Sequence, residues 1–115
     1  MEPILLVLTT APDRETARRL ADGLIEARLA ACVNVLAECT SVYRWKGAVE
    51  AASEVPMLIK TRAALFSEVE AFIITNHPYE LPEVIALPVR DGSAAYLEWL
   101  VQETRTEPSS AVQRS

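Results

Sequence analysis

Two segments with helical hydrophobic periodicity, separated by two strand-like segments, limit how this chain can fold. In each helical segment the apolar residues recur every three or four positions, which places them on one face of an amphipathic helix. The stretch Thr10–Asp13 suits the opening of the first helix, and Thr61 is the predicted N-cap of the second. We expect the second helix to end near Asn76 and Pro78. The two apolar stripes consist of Ala17, Leu20, Ala21, Leu24 and Ile25, and of Leu65, Phe66, Val69, Phe72 and Ile73.

Five extended segments complete the pattern. Short apolar or alternating runs, bounded by turn residues, are typical of β-strands. The dipeptide Lys46-Gly47 marks a turn between the middle strands. Pro56 lies inside the strand that follows this turn, and because proline donates no backbone hydrogen bond it predicts an edge position, a bulge or an interrupted sheet. The predicted strands are Ile4–Thr9, Ala31–Leu36, Ser41–Trp45, Val49–Lys60 and Glu83–Val89.

The order of these elements indicates one α+β domain with a ferredoxin-like fold. Ala31–Leu36 and Ser41–Trp45 count as one strand with a break near residues 37–38, so the pattern is β-α-β-β-α-β followed by a last helix. Two βα crossovers with a hairpin between them give the split βαβ sheet. We expect the domain to span residues 1–105 and the polar residues 106–115 to form a disordered C-terminal tail. Ser93 is the predicted cap of the last helix. The apolar residues that this helix should turn inward are Tyr96, Leu97, Leu100 and Val101.

One face of such a sheet has no cover within the chain, since the helices protect only the other face. The long middle strands carry apolar side chains, and an exposed apolar sheet face is usually buried by self-association. The sequence therefore predicts an oligomer. Tyr43 and Trp45 allow two interpretations: they are aromatic residues of the core, or they form the wall of a cleft between subunits. The apolar residues that we expect on the uncovered face are Val33, Val35, Tyr43, Trp45 and Met57.

Charge and composition exclude several classes of function. The 115 residues include 16 acidic and 11 basic side chains, and the net charge of -5 does not suit a protein that holds nucleic acid or an anionic membrane by bulk charge. Three isolated glycines leave no glycine-rich loop for a P-loop enzyme or a dinucleotide fold. Cys32 and Cys39 lack the spacing of a zinc motif and indicate reduced thiols in a cytoplasmic protein. The apolar run Ile4–Leu8 is too short for a signal peptide or a membrane span.

The only histidine, His77, lies in a proline-rich loop with Tyr79, Glu80 and Glu83. An imidazole beside carboxylates can bind divalent copper, zinc or nickel. The alternative is structural, because His77 could equally hold the loop through its ring nitrogens. Cys32 would add a soft ligand if it faced this loop.

No group of residues indicates catalysis. A nucleophilic mechanism needs a serine or cysteine beside a base that a third group orients, and the chain offers few such combinations. Lys60, at the end of an apolar strand, could be a desolvated amine with a lowered pKa, or a lysine that reaches solvent or pairs with a glutamate. We therefore expect a protein that is not an enzyme.

Several segments together resemble the CutA family of divalent-cation tolerance proteins. They are Leu29–Asn34, Ser41–Gly47, Glu54 with Met57–Thr61, His77–Glu83 and Tyr96–Trp99. The resemblance covers nearly the whole predicted domain. It implies a ferredoxin-like fold and a tight homotrimer, similar in plan to the PII-type signalling trimers, with a cleft between subunits. It also implies a role in tolerance of copper and other divalent cations, with Cu(II) or another divalent cation as the bound metal.

The resemblance also supplies candidate site residues. His77 is the best metal ligand, and Glu80 and Cys32 are further candidates. Some family members have Cys where this chain has Thr9 and a second His where it has Asn76, so two ligands are missing here. Three functions stay open: a metal-responsive trimer, a PII-like small-ligand sensor and a trimeric scaffold. For a small ligand the candidate residues are Tyr43, Trp45, Lys60, Tyr79 and Glu83.

Overall fold

The computed structural model describes residues 2–106 and has the predicted α+β order of elements. A single 3-10 turn, Ala63–Leu65, precedes the second helix. None of the helices within residues 2–106 is long and apolar enough to cross a membrane. The predicted disordered tail lies outside the described residues, except for Thr106. The elements are β1 (Ile4–Ala11), α1 (Arg14–Glu26), β2 (Cys32–Val35), β3 (Cys39–Trp45), β4 (Ala48–Arg62), α2 (Phe66–Asn76), β5 (Ile85–Val89) and α3 (Ala94–Glu103).

The 15-residue strand β4 organises an entirely antiparallel sheet. Its second half, residues 55–62, pairs with β1 on one side, and residues 57–60 pair with β2 on the other. Its first half, residues 48–54, pairs only with β3. The strand order is therefore β2-β4-β1-β5, and the β3–β4 hairpin extends from it as an arm. We call residues 39–54 the hairpin arm.

Pro56 lies where β4 passes from the arm into the main sheet. Its carbonyl accepts a hydrogen bond from the Leu36 backbone N–H at 2.9 Å, just beyond the end of β2. Proline cannot return this bond, and the Leu36 carbonyl instead accepts one from Nη1 of Arg14 at 3.0 Å. Of the three arrangements that Pro56 allowed, an interruption of the sheet between β2 and β3 is the one observed.

The core lies between the sheet and the first two helices. Alternate residues of β1 and β4 turn toward these helices, as the period-2 geometry of strands requires. Helix α1 begins after Asp13, whose carboxylate accepts a 2.7 Å hydrogen bond from the Thr16 N–H. These bonds from the Thr16 N–H and hydroxyl lower the pKa of Asp13. The largest fully buried apolar side chains include Val7, Leu20, Leu24, Met57, Ile59, Val69 and Ile73.

Three local predictions are wrong. Thr61 does not cap α2: it lies in β4, fully buried, and its hydroxyl donates a 2.6 Å hydrogen bond to the Leu29 carbonyl. Ile25 and Tyr96 were expected on the buried stripes of their helices, yet each is 42% exposed. Both lie at the border of an apolar stripe, where a small rotation of the helix decides exposure. Ser93 does cap α3, accepting a hydrogen bond from the Tyr96 N–H.

The uncovered face of the sheet is present, but it carries other residues than predicted. Val33, Val35 and Met57 pack on the helix side, against the α1 core. On the opposite face α3 covers only one end, where Leu97 and Leu100 contact Ile4. Beside Asn34 and Lys60, the remainder of that face is an apolar patch that is partly or largely exposed. We call it the open face; its residues are Leu6, Leu8, Leu58, Ile85 and Leu87.

Helices α1 and α2 meet closely at Gly23. A Cβ atom at this position would lie 2.4 Å from the ring carbon Cζ of Phe72. Alanine favours a helix over glycine by about 1 kcal/mol, but overpacking of this kind costs about 1–3 kcal/mol. We expect Gly23→Ala to lower the free energy of unfolding, measured by urea denaturation.

The variant Phe72→Leu provides the matched background for this test. With the ring removed, the same Gly23→Ala change should be neutral or stabilising, since only the gain in helix propensity remains. If Gly23→Ala destabilises both backgrounds equally, the contact with Phe72 is not the cause.

Candidate functional site

The hairpin arm ends in a two-residue turn that fixes the pairing of its strands. Lys46 and Gly47 have positive φ angles of 50° and 85°, the combination that a type I′ turn requires and that glycine adopts without strain. The turn pairs Trp45 with Ala48. The register of the whole arm follows from this pair.

Strand alternation then places aromatic and acidic residues on one face of the arm. Tyr43 lies opposite Glu50, and Cys39 lies opposite Glu54. Trp45 is two residues from Tyr43, so its side chain shares the same face. One side of the arm therefore carries two aromatic rings and two carboxylates, and it is the same side of the sheet as the open face.

His77 fixes the loop that faces this arm. The residue is 8% exposed and ends α2 as its C-cap. Its Nδ1 accepts a 3.1 Å hydrogen bond from the Tyr79 N–H, so the proton of the neutral ring lies on Nε2. Nε2 in turn donates to the Thr10 carbonyl at 2.7 Å. Both ring nitrogens are thus used to hold the loop against β1.

Tyr79 connects this loop to the arm. Its hydroxyl donates a 2.8 Å hydrogen bond to Oε2 of Glu54, and its ring lies 4.6 Å from that of His77. Burial, together with the adjacent Glu54 carboxylate, raises the pKa of Tyr79 well above its ordinary value. The phenol therefore stays protonated and acts as a donor.

The arm and the loop enclose a cleft of about 650 Å³. At its mouth Nζ of Lys46 lies 3.7 Å from Oε1 of Glu80 and 5.6 Å from the centre of the Trp45 ring. Among the described residues, no lysine, arginine or histidine belongs to the lining. The lining consists of Thr10, Ser41, Val42, Tyr43, Trp45, Glu50, Glu54, Tyr79, Glu80, Leu81 and Glu83.

The three candidate metal ligands do not meet in this structure. His77 has no free ring nitrogen, and Glu80 lies at the cleft mouth beside Lys46. Cys32 lies on β2, paired with Lys60 and away from the loop. Within residues 2–106 there is no group of three His, Cys, Asp or Glu side chains placed to hold a metal ion.

Four of the five candidate ligand-binding residues line this cleft. They are Tyr43, Trp45, Tyr79 and Glu83. Lys60 does not join them, because it lies farther along β4, where its ammonium group is 5.8 Å from the centre of the Tyr96 ring. The cleft also contains Glu50 and Glu54, neither of which was predicted as a site residue, although Glu54 belongs to the segments that carry the family resemblance. The sequence feature that could have identified them is the Lys46-Gly47 turn, because strand pairing across this turn places both glutamates on the same face as the aromatic side chains.

Comparison with known proteins identifies close relatives. Residues 5–103 match the family model described as CutA1 divalent ion tolerance protein. The chain is 43% identical over 99 residues to the Divalent-cation tolerance protein CutA of Thermus thermophilus, covering 86% of this chain and 96% of that protein. It is 45% identical over 103 residues to the chloroplastic CutA protein of Arabidopsis thaliana, covering 90% of this chain but only 57% of that relative.

The solved structures agree with the sequence comparison. The crystal structure of CutA1 from Oryza sativa superposes with a TM-score of 0.90 at 42% identity, covering 92% of this chain and 97% of that one. The curated plant and mammalian relatives are longer proteins, and the chain spans little more than half of their length.

The Tyr79–Glu54 hydrogen bond predicts a pH dependence of stability. The folded protein raises the pKa of Tyr79. The protonated phenol therefore contributes its full share to the free energy of unfolding below the unfolded pKa of about 10, and this share is lost as the pH rises above that value. The free energy of unfolding should therefore decline as the pH rises above about 10, toward the raised pKa of folded Tyr79. The variant Tyr79→Phe, which keeps the ring, should be less stable at pH 8 and decline less. Equal declines in the two proteins would contradict the assignment.

Proposed function

The chain belongs to the CutA1 divalent ion tolerance family, and we propose that it forms a homotrimer that binds a divalent cation at the cleft. The observation that carries this proposal is the composition of the cleft. Four carboxylates line it, and the described lining contains no basic side chain. Such a surface attracts cations through its electrostatic potential. We propose a binding role rather than catalysis, in keeping with relatives that are named for tolerance.

The open face supports the trimer. Ile85 and Leu87 are 53% and 54% exposed in the single chain, and they adjoin further apolar residues of β1 and β4. An apolar area of this kind is stabilised by burial against another subunit. Strand β5 also has a free edge in the described sheet, which offers backbone groups for pairing.

The donor set fits one kind of cation site better than another. Carboxylate oxygens suit hard or hydrated divalent cations, and Glu80 and Glu83 lie at the accessible side of the cleft. A closed site of imidazole and thiolate does not fit, because His77 uses both nitrogens and Cys32 lies elsewhere. We therefore propose that a divalent cation binds through these carboxylates, with harder cations fitting the donor set better than Cu(II), and that His77 positions their loop.

We further propose that the protein acts in the cytoplasm. Cys32 and Cys39 are both free cysteines, which suits a reducing compartment. Relatives differ in this respect: the Arabidopsis relative is named as chloroplastic, and the CutA protein of Archaeoglobus fulgidus is named as periplasmic.

A PII-like small-ligand sensor is the second candidate function. The cleft volume lies within the range of small-molecule sites, and three aromatic side chains belong to its lining. A purely structural trimer is the remaining alternative, and the fully bonded His77 ring supports it.

The trimer is tested by native mass spectrometry. We expect a mass of about three times the 12.7 kDa subunit for the wild-type protein. Leu87→Glu should dissociate it, because a charge buried in an apolar interface is strongly unfavourable. Ile74→Glu is the matched control, since Ile74 is 53% exposed but lies on α2, away from the open face. A wild-type monomer, or dissociation by both variants alike, would contradict the proposal.

The cation site is tested by Cu(II) titration of the trimer with calorimetry. The double change Glu80→Gln and Glu83→Gln should weaken Cu(II) binding at least about tenfold, as expected for removal of two charged ligands. His77→Ala should weaken Cu(II) binding less than the double change, because it loosens the loop without removing a ligand. It should also lower the free energy of unfolding by about 1–3 kcal/mol, because it leaves the partly buried Thr10 carbonyl without its donor.

Glu26→Gln, an exposed carboxylate change at the end of α1, is the control for net charge. If His77→Ala abolishes binding and the glutamine variants do not, the metal is held by the imidazole. If no variant changes the affinity, Cu(II) binds outside the cleft.

A further inference from the structure

Glu54 is a buried carboxylate that pairs with no cationic side chain of residues 2–106. The residue is 8% exposed, and its Oε2 accepts a hydrogen bond from the neutral phenol of Tyr79. Within residues 2–106, Oε1 makes no hydrogen bond and the side chain forms no ion pair. Buried carboxylates are ordinarily compensated by a positive charge, because desolvation is costly. Glu54 lines the cleft, so a ligand there can supply that charge.

The protein's own Lys46 shows which kind of charge the cleft recognises. Its ammonium group lies over the Trp45 ring and beside the Glu80 carboxylate, at 5.6 Å and 3.7 Å. An aromatic face combined with a carboxylate is the arrangement that binds organic ammonium ions. Lys46 occupies only the solvent-exposed mouth, with 70% of its side chain accessible. The inner part of the cleft has the same two kinds of group and no ammonium from the described chain.

We propose that the cleft binds a small organic ammonium compound, of the alkyl diamine or polyamine class, with one ammonium group at Glu54 and its chain against Tyr43 and Trp45. A volume of about 650 Å³ is far larger than a single metal ion needs and accommodates a molecule of this size. The excess of carboxylates excludes anionic ligands. The aromatic walls bind methylene groups and cations alike.

A bare metal ion does not explain the inner cleft. Metal binding needs several ligands at one point, and no such group of three occurs among the described residues. The Tyr79 phenol donates its proton to a hydrogen bond with Glu54. It therefore orients that carboxylate and does not serve as a metal ligand itself. This inference deepens the second candidate function, the small-ligand sensor, and does not depend on the Cu(II) site at Glu80 and Glu83.

The test is a calorimetric titration of the wild-type trimer with 1,6-diaminohexane. The uncharged 1,6-hexanediol has the same chain length, and MgCl₂ supplies the same charge without the chain. We expect the diamine to bind with a defined ratio of one per subunit, and neither control to compete with it at equal concentration.

Two variants locate the site. Glu54→Gln should weaken diamine binding about tenfold or more, the effect of losing a charge-assisted hydrogen bond. Trp45→Leu should weaken it about threefold to thirtyfold through loss of the cation–π contact. Trp99→Leu is the matched control, because Trp99 lies on α3 outside the cleft lining. Trp45 lies at the tip of the arm, so its variant keeps the test valid if Glu54→Gln fails to fold.

Removal of Lys46 distinguishes the proposal from general attraction of cations. Lys46→Asn introduces a residue that the type I′ turn favours. It removes the ammonium group that contacts the Trp45 ring and the Glu80 carboxylate. It should raise diamine affinity, and the gain should vanish when Trp45→Leu is added.

Several outcomes overturn the inference. They are equal binding of diamine and hexanediol, displacement of the diamine by MgCl₂ at equal charge, and unchanged affinity in both cleft variants. Absence of diamine binding in a trimer that still takes up Cu(II) overturns it and leaves the divalent-cation site standing. The reverse pattern, diamine binding without Cu(II) uptake, supports it and removes the metal proposal.

Discussion

Strand β4 is the constraint on which the other elements depend. Its 15 residues pair with β1 and β2 in the main sheet and with β3 in the arm. Pro56 separates the two regions because it cannot donate to a neighbouring strand, and Arg14 satisfies the carbonyl that this leaves on Leu36. The arm thereby leaves the sheet at a fixed point. Without that departure β3 would continue the sheet, and no wall would face the His77 loop.

The elements that carry strong periodicity were predictable from the sequence. The stripe of α1 and the apolar run of β1 bury their own side chains, so their local pattern already contains the tertiary contact. The boundaries of the elements were less predictable than the elements themselves. Thr61 resembles an N-cap, but its hydroxyl is more stable when it satisfies the buried Leu29 carbonyl within a long strand. Local propensity was overridden there by a hydrogen bond between residues 32 positions apart.

The cleft was only partly predictable, because it too depends on contacts between residues that are distant in the sequence. The aromatic residues and the His77 loop are recognisable as candidate site residues from their residue types, whereas Glu50 and Glu54 join the site only through their register opposite Tyr43 and Cys39. For His77 the sequence left two interpretations open, a metal ligand or a residue that holds the loop through its ring nitrogens, and the observed hydrogen bonds fit the second. These two hydrogen bonds, to Thr10 and from Tyr79, depend on contacts that no sequence spacing shows. Lys60 was predicted as a cleft residue, but it lies in the main-sheet half of β4, paired with Cys32 and close to Tyr96 rather than to the arm.

The geometry of the arm also limits how its length can vary during evolution. Because side chains alternate along a strand, adding one residue to each strand beyond Pro56 would insert one cross-strand pair and turn Tyr43, Trp45 and Glu50 to the opposite side. Adding two residues to each strand would leave these three side chains on their original side of the arm and would only move them farther from the main sheet. Arms of related proteins should therefore differ in length by whole pleats, and single-residue insertions there should be rarer than substitutions.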